Sequence, residues 1–111
     1  MTLREYQIRS MRTNTNRELG DVGCLLNFAL GTTGEAGEVA DLVKKYVFHE
    51  HELDTHELIL ELGDVMWYVS QLALTLGVSL DEVAERNINK IESRYPDGFN
   101  KTDSINRREN G

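Results

Sequence analysis

The sequence has little cysteine, little proline and no long apolar run. A single cysteine, Cys24, excludes an internal disulfide framework and a zinc site built from several thiolates. The longest uncharged stretch begins at Val65 but contains Ser70, Gln71 and Thr75, whereas a membrane span needs ~20 mostly apolar residues. The first residues carry charges where a secretory signal is apolar. We therefore expect a soluble, cytoplasmic protein.

The lone proline, Pro96, leaves most of the chain free to form helices, and neither a sustained alternating pattern nor an Asn-Gly hairpin turn favours strands. Two capping boxes, Thr2-x-x-Glu5 and Ser79-x-x-Glu82, mark helix starts, and Gly77 suits a helix end. We predict helical segments at about 2–11, 18–48 with a possible break near 31–34, 54–76 and 79–95. The predicted fold is an all-α bundle of about four to five helices, completed by oligomerisation.

The acidic charge is concentrated in one block of the chain. Residues 1–17 carry net charge +3, residues 18–64 carry −9, and residues 65–111 carry −1, which sum to the −7 of the whole. An acidic chain repels nucleic-acid backbones, so we expect no nucleic-acid polymer as a partner, and no membrane. We assign residues 1–99 to one helical domain and residues 100–111 to a polar, flexible tail.

Two pairs of acids in the central block fall on inward-facing helical stripes. At about 100° per residue, Glu35 and Glu38 share the apolar stripe of the second segment, and Glu61 and Asp64 share that of the third. Buried carboxylates repel one another unless a cation lies between them, and hard cations such as Mg²⁺ prefer oxygen ligands. The pattern favours a shared metal ion, although one or two of these acids at a helix boundary could instead reach solvent.

The fourth segment carries a complementary row of polar side chains. Asn87, Lys90 and Arg94 lie within about 60° of one another on a face that also carries apolar residues. Such a row facing acids could form ordinary ion pairs, or it could be half of a phosphate site in which metal ions and cations clamp phosphate oxygens. Met66 and Trp67 lie outside the acidic stripe of the third segment, and we expect a second buried face or a subunit interface there.

These motifs together resemble the MazG-like all-α nucleoside triphosphate pyrophosphohydrolases. The matching residues are E-x-x-E at Glu35 and Glu38, E-x-x-D at Glu61 and Asp64, and the Asn-x-x-Lys-x-x-x-Arg-Tyr-Pro run at 87–96. The resemblance covers about residues 18–99. It implies a homodimer or homotetramer that cleaves an NTP or dNTP between the α and β phosphates, giving the monophosphate and pyrophosphate.

The resemblance also implies roles for particular residues. The four acids of the two motifs would bind Mg²⁺, with Mn²⁺ as a substitute, and the substrate would contact Asn87, Lys90, Arg94, Tyr95 and, from the first helix, Gln7. We expect water to attack the α-phosphorus in line, with Glu38 taking its proton as the catalytic base. Lys90 and Arg94 would then neutralise the departing pyrophosphate.

Two other kinds of protein compete with this interpretation. A di-iron carboxylate bundle needs Glu-x-x-His pairs on facing helices, and the sequence contains none. A non-catalytic helical interaction or scaffold module is the main alternative, and it has no need for inward-facing acids.

Overall fold

The part of the chain that can be described, residues 1–15 and 17–106 of the computed structural model, contains five α-helices and no β-strand. Short 3₁₀ turns at Met11–Thr13 and Arg17–Leu19 precede the longest helix. This architecture confirms the predicted all-α fold. The helices are α1 (Leu3–Ser10), α2 (Gly20–Phe48), α3 (Thr55–Thr75), α4 (Leu80–Arg94) and α5 (Lys101–Ile105).

Local hydrogen bonds fix the helix ends where the sequence predicts them. The hydroxyl of Thr2 accepts the Glu5 N–H at the start of α1, and that of Ser79 accepts the Glu82 N–H at the start of α4, both at 3.1 Å. Helix α3 ends in a Schellman motif, in which Gly77 adopts φ 76° and its N–H and that of the next residue reach back to carbonyls of the last turn. Each cap satisfies backbone groups that the helix leaves free.

Helix α2 runs through its glycines without the possible break near residues 31–34. Two threonine hydroxyls find acceptors within the helix, at carbonyls one turn back: Thr32 donates to Phe28 O at 2.8 Å and Thr33 to Ala29 O at 3.4 Å. Gly31 has a packing reason, because a Cβ atom at this position would lie 2.2 Å from a ring carbon of Tyr68. The glycine therefore lets α3 place an aromatic ring directly against the α2 backbone.

The interior lies between α2 and α3, and α1 packs across α3 and α4. Phe28 is fully buried, and its ring meets that of Trp67 edge-on at 6.1 Å between centroids. Four apolar residues are buried among those described, and four polar ones accompany them: Gln7, Ser10, Ser70 and Gln71. So small an apolar core leaves many large apolar side chains of the helices exposed.

Large apolar side chains are exposed along the outer faces of the helices. Val22 is 81% exposed, Phe48 76%, Leu30 63% and Ile59 63%. The radius of gyration is 17.0 Å, against about 13 Å for a compact domain of this length. Among the described helices, none combines the length and the apolar character needed to cross a bilayer. Oligomerisation stays a prediction, and these faces are where a second copy could pack.

The segment assigned as a polar tail contains the short helix α5. The side chain of Asn100 accepts the N–H of Asp103 at 2.7 Å and begins this helix. Before it, Pro96, Asp97 and Gly98 form a turn, with Gly98 at φ 87°. Residues 107–111 of that tail lie outside the described part of the chain. The division into a domain at 1–99 and a tail at 100–111 therefore stays a prediction.

Candidate functional site

Three of the four predicted metal ligands meet between α2 and α3. Glu35 comes from α2, and Glu61 and Asp64 come from successive turns of α3. One carboxylate oxygen from each lies within 4.8 Å of the other two. Glu35 and Glu61 are half-buried, whereas Asp64 is exposed. The three side chains, hereafter the acid cluster, form a group of oxygen ligands that opens to solvent on one side.

The acid cluster borders a cavity of about 300 Å³. Glu35 and Asp64 form one part of its wall, and Thr13, Trp67 and Tyr68 form the rest. The rings of Trp67 and Tyr68 pack edge-on with centroids 5.0 Å apart, so they hold each other in place. The hydroxyl of Thr13 accepts the Trp67 indole N–H at 3.0 Å and ties the 3₁₀ turn to the same wall. We call this space the acid cavity.

The environment of the acid cluster makes the carboxyl of Glu61 harder to ionise. Burial raises the pKa of the Glu61 carboxyl above its ordinary value, and a hydrogen bond with Glu35 and the charges of Glu35, Asp64 and Glu38 raise it further. One oxygen of Glu61, Oε2, is buried and has no hydrogen-bond partner among the described residues. A buried carboxylate oxygen without a partner is costly, so the cluster favours either a bound proton or a bound cation.

The acid cluster fits a hard divalent cation. Mg²⁺ binds oxygen at 2.0–2.1 Å, so two ligands on opposite sides of one ion lie about 4.2 Å apart and neighbouring ligands about 3 Å apart. The observed spread of 4.8 Å is close to this range. The unpartnered Oε2 of Glu61 supplies the free lone pairs that an ion needs. Small side-chain rotations would let all three carboxylates bind one ion.

Glu38 lies apart from the acid cluster. It is exposed on α2, one turn after Glu35, and its charge still contributes to raising the pKa of Glu61. Further along the helix, Asp41 and Lys45 form an ion pair at 2.8 Å. The structure therefore brings together Glu35, Glu61 and Asp64, and leaves Glu38 near enough to act electrostatically.

None of the predicted substrate ligands of α4 is among the residues that line the acid cavity. Asn87 and Lys90 are exposed, and Arg94 and Tyr95 are half-buried at the end of the helix. The Tyr95 ring packs against Phe99, with centroids 5.1 Å apart, and Arg94 Nε is buried with no hydrogen-bond partner among the described residues. Their role at the phosphates stays a prediction.

Gln7 joins α1 to the turn between α3 and α4. Its Nε2 donates to the carbonyl of Val78 and its Oε1 accepts the N–H of Leu80, both at 3.2 Å. The residue is buried, and its amide is engaged at both ends within the fold. The predicted substrate contact of Gln7 stays a prediction, and the structure assigns this side chain a role in anchoring α4.

From the sequence, Trp67 is expected on a second buried face or a subunit interface, whereas in the structure it lines the acid cavity together with Thr13 and Tyr68. Trp67 donates its indole N–H to Ser10 O and to Thr13 Oγ1, each at 3.0 Å, and so faces the first helix. Tyr6 lies close enough to Asp64 that, after partial burial, the charge of that acid raises the pKa of the Tyr6 hydroxyl. The available signal was an aromatic residue three positions after Asp64, which falls on the same side of α3.

Comparisons with known proteins agree with this geometry. The family model described as the MazG nucleotide pyrophosphohydrolase domain matches residues 25–99, which include both acidic motifs and the α4 residues. The gene 37 protein of Mycobacterium phage L5 is 42% identical over 100 residues, covering 84% of this chain and 88% of that protein. No solved structure matches. The match over most of the chain shows that it belongs to the MazG nucleotide pyrophosphohydrolase family.

Proposed function

We propose that the protein hydrolyses nucleoside triphosphates, NTP or dNTP, between the α and β phosphates to give the monophosphate and pyrophosphate. The observation that carries this proposal is the acid cluster, with three carboxylate oxygens within 4.8 Å and a buried Glu61 oxygen that has no partner in the described part of the chain. Ionised acids arranged in this way beside a cavity destabilise the protein unless a proton or a cation neutralises them. A binding role of this kind explains why the fold keeps them.

In the proposed site Glu35, Glu61 and Asp64 hold Mg²⁺, with Mn²⁺ as a substitute, and Glu38 contributes from the rim. The bound cation would supply the positive charge that phosphate oxygens need and would make the attacking water more acidic. Glu38 takes the proton of that water as general base, and its solvent exposure favours release of the proton afterwards. Attack on the α-phosphorus in line then expels pyrophosphate.

The cations of α4 hold the leaving pyrophosphate in this proposal. Lys90 and Arg94 supply charge, and Asn87 and Tyr95 supply hydrogen bonds. Arg94 has a buried Nε without a partner among the described residues, which is a donor available to an anion. Because none of these α4 residues lines the acid cavity, we assign this role to a site that movement of α4 or a second copy of the protein completes.

A homo-oligomer forms part of the proposal because of the apolar faces. Val22, Leu30 and Ile59 are each more than half exposed on α2 and α3. Contiguous apolar surface of this kind is typical of subunit interfaces. Sedimentation of the purified protein should give a dimer or tetramer, and a monomer at micromolar concentration would contradict this part of the proposal.

The test of the activity is a screen of the eight common NTPs and dNTPs, with Mg²⁺ and with a chelator, that measures released pyrophosphate and the nucleotide product. We expect monophosphate and pyrophosphate in equal amounts from at least one nucleotide, with Mg²⁺ only. Release of inorganic phosphate without monophosphate would show cleavage between the β and γ phosphates and would contradict the proposal. No turnover of any nucleotide would favour the non-catalytic interaction module.

A further inference from the structure

A second cavity adjoins the acid cavity and shares two walls with it. It has a volume of about 450 Å³ and is lined by Thr13 and Trp67, which also line the acid cavity, together with Met1, Tyr6, Arg9, Ser10 and Arg12. Ligand sites usually measure about 300–1,000 Å³ and are mostly apolar. A nucleotide whose phosphates lie at the acid cluster would therefore extend its nucleoside into this second cavity, hereafter the arginine cavity.

Most polar side chains around the arginine cavity already have partners within the fold. The Ser10 hydroxyl donates to Gln7 O at 2.7 Å and accepts Gln71 Nε2 at 2.8 Å. Thr13 accepts the Trp67 N–H at 3.0 Å and donates to the carbonyl of Ser10 at 3.3 Å. These groups hold the wall together and leave little capacity for a ligand.

The guanidinium groups of Arg9 and Arg12 are the donors that remain available. Both residues are exposed, and neither side chain forms a hydrogen bond or ion pair with any described residue. A guanidinium donates and never accepts. The Tyr6 hydroxyl likewise forms no hydrogen bond with a described residue, and it lies near enough to Asp64 that the charge of this acid raises its pKa, after the larger effect of burial. A ligand in the arginine cavity thus meets hydrogen-bond donors on an otherwise aromatic and thioether surface.

We propose that Arg9 and Arg12 select nucleobases that carry a carbonyl oxygen and discriminate against adenine. This inference rests on the proposed function. Guanine, cytosine, uracil and thymine each offer a carbonyl oxygen to a guanidinium. Adenine has ring-nitrogen acceptors but no carbonyl oxygen, and the amino group beside its N1 and N7 is a donor that opposes the second N–H of a guanidinium fork. The flat ring of any base can pack against Tyr6 and Trp67, so these residues favour a base over a phosphate without distinguishing among bases.

This role accounts for a feature that the pyrophosphohydrolase site leaves unused. Residues 1–17 contain four arginines and one acid in an otherwise acidic protein. Two of those arginines line the wall of the arginine cavity, and Arg4 on the same helix does not. The inference therefore depends on the location of two arginines at the cavity, and not on the net positive charge of residues 1–17.

The test compares kcat/KM for all eight nucleotides in the wild type, in Arg9→Gln, in Arg12→Gln and in the double variant. Arg4→Gln is the matched control, since it removes the same charge from an exposed position of α1 outside the cavity. We expect adenine nucleotides to be about tenfold poorer substrates than guanine or uracil nucleotides in the wild type. The double variant should bring the other bases down towards the adenine value, and Arg4→Gln should keep the wild-type ratios.

Each other outcome overturns the inference. Equal kcat/KM for adenine and carbonyl bases in an active wild type would refute it and leave the proposed function intact. An equal loss for all eight nucleotides in the double variant would assign the guanidiniums to phosphate oxygens instead. Loss of selectivity in Arg4→Gln would show a general charge effect. No pyrophosphate from any nucleotide would overturn the proposed function and this inference with it.

Discussion

Helix α3 carries two polar clusters within a few turns, and the fold treats them in opposite ways. Near its middle, Glu61 and Asp64 belong to the acid cluster, in which like charges repel and Glu61 Oε2 has no partner among residues 1–15 and 17–106. Two to three turns later, Ser70 and Gln71 are fully buried and hydrogen-bonded. In the part of the chain that the structure describes, the first cluster therefore lacks a partner, whereas the second is complete.

The second cluster shows what a purely structural polar group looks like in this protein. The single proton of the Ser10 hydroxyl goes to Gln7 O at 2.7 Å, so the contact with Ser70 Oγ at 3.1 Å must be donated by Ser70. Gln71 donates to Ser10 at 2.8 Å and accepts from Asn14 at 3.0 Å. A buried network with its donors matched to acceptors stabilises a unique packing. The acid cluster departs from this pattern, which indicates a binding site.

The largest expected effect comes from neutralising the central acid. Glu61→Gln keeps the size of the side chain but removes a cation ligand, and we expect it to lower Mg²⁺-dependent pyrophosphate release by about 10³-fold. Circular dichroism should show an unchanged helical content. Glu85→Gln, at an exposed position of α4, is the control for charge and should keep full activity. Wild-type turnover by the Glu61 variant would contradict the assignment of the site.

The opposite exchange, from an amide to an acid, should destabilise the buried cluster of Ser10, Ser70 and Gln71. Gln71→Glu places a carboxylate where a fully buried amide donates to Ser10, and we expect the free energy of unfolding at pH 7 to fall by about 3 kcal/mol. Burial raises the pKa of the introduced acid, so the deficit should shrink as the pH falls towards about 4, where the group is protonated and can donate again. Urea unfolding at both pH values measures this. A deficit independent of pH would show that packing, not charge, limits this cluster.

Gly31→Ala tests the aromatic wall beside the acid cluster. A Cβ atom would lie 2.2 Å from a ring carbon of Tyr68, so that ring must move, and it lines the acid cavity. We expect a loss of about 2 kcal/mol in unfolding free energy from overpacking, and a higher KM. Gly34→Ala is the matched control one turn on, where nothing lies within 4 Å, and the better helix former should stabilise by about 0.5–1 kcal/mol. Equal effects at the two glycines would refute the packing role.

The smallest expected effect is on the pH dependence of the free energy of unfolding. Because the pKa of Glu61 is raised in the folded state, this carboxyl keeps its proton at pH values where the unfolded chain has released it. Wild-type stability in a chelator should therefore fall as the pH rises from the ordinary glutamate value through the raised pKa. Glu61→Gln should lack that fall and have the higher urea midpoint at neutral pH.

Two measurements complete this prediction. Adding Mg²⁺ should stabilise the wild type more than Glu61→Gln, because only the wild type keeps the full set of ligands. Glu85→Gln should follow the wild type throughout the pH series. If the wild type and Glu61→Gln have the same pH dependence, the acid cluster is not under the repulsion described above.

Local signals made much of the fold predictable. Thr2, Ser79 and Gly77 form helix ends through hydrogen bonds to residues no more than five positions away, so sequence order contains nearly all of the information. The 3.6-residue period likewise placed acids on the apolar stripe of α2 and acids on the apolar stripe of α3. These features needed no knowledge of how the helices pack.

The remaining features depend on contacts between distant residues. Periodicity gave Glu35 and Glu38 similar positions, but only the packing of α3 makes the first half-buried and leaves the second exposed. Gln7 pairs with residues 71 and 73 positions away, and Trp67 donates to residues 57 and 54 positions away. The local sequence contains no information about partners so far away. The role of Gln7 in anchoring α4 and the position of Trp67 in the cavity wall are therefore evident only in the folded chain.

Trp67 forms the partition between the acid cavity and the arginine cavity, and it is the only tryptophan in the chain. All indole fluorescence therefore originates from this one partition. A cation entering on one side or an aromatic ring stacking on the other would alter its emission, without any label. Tryptophan emission can therefore follow binding at both cavities, first in a titration with the ion and then in a titration with the nucleotide.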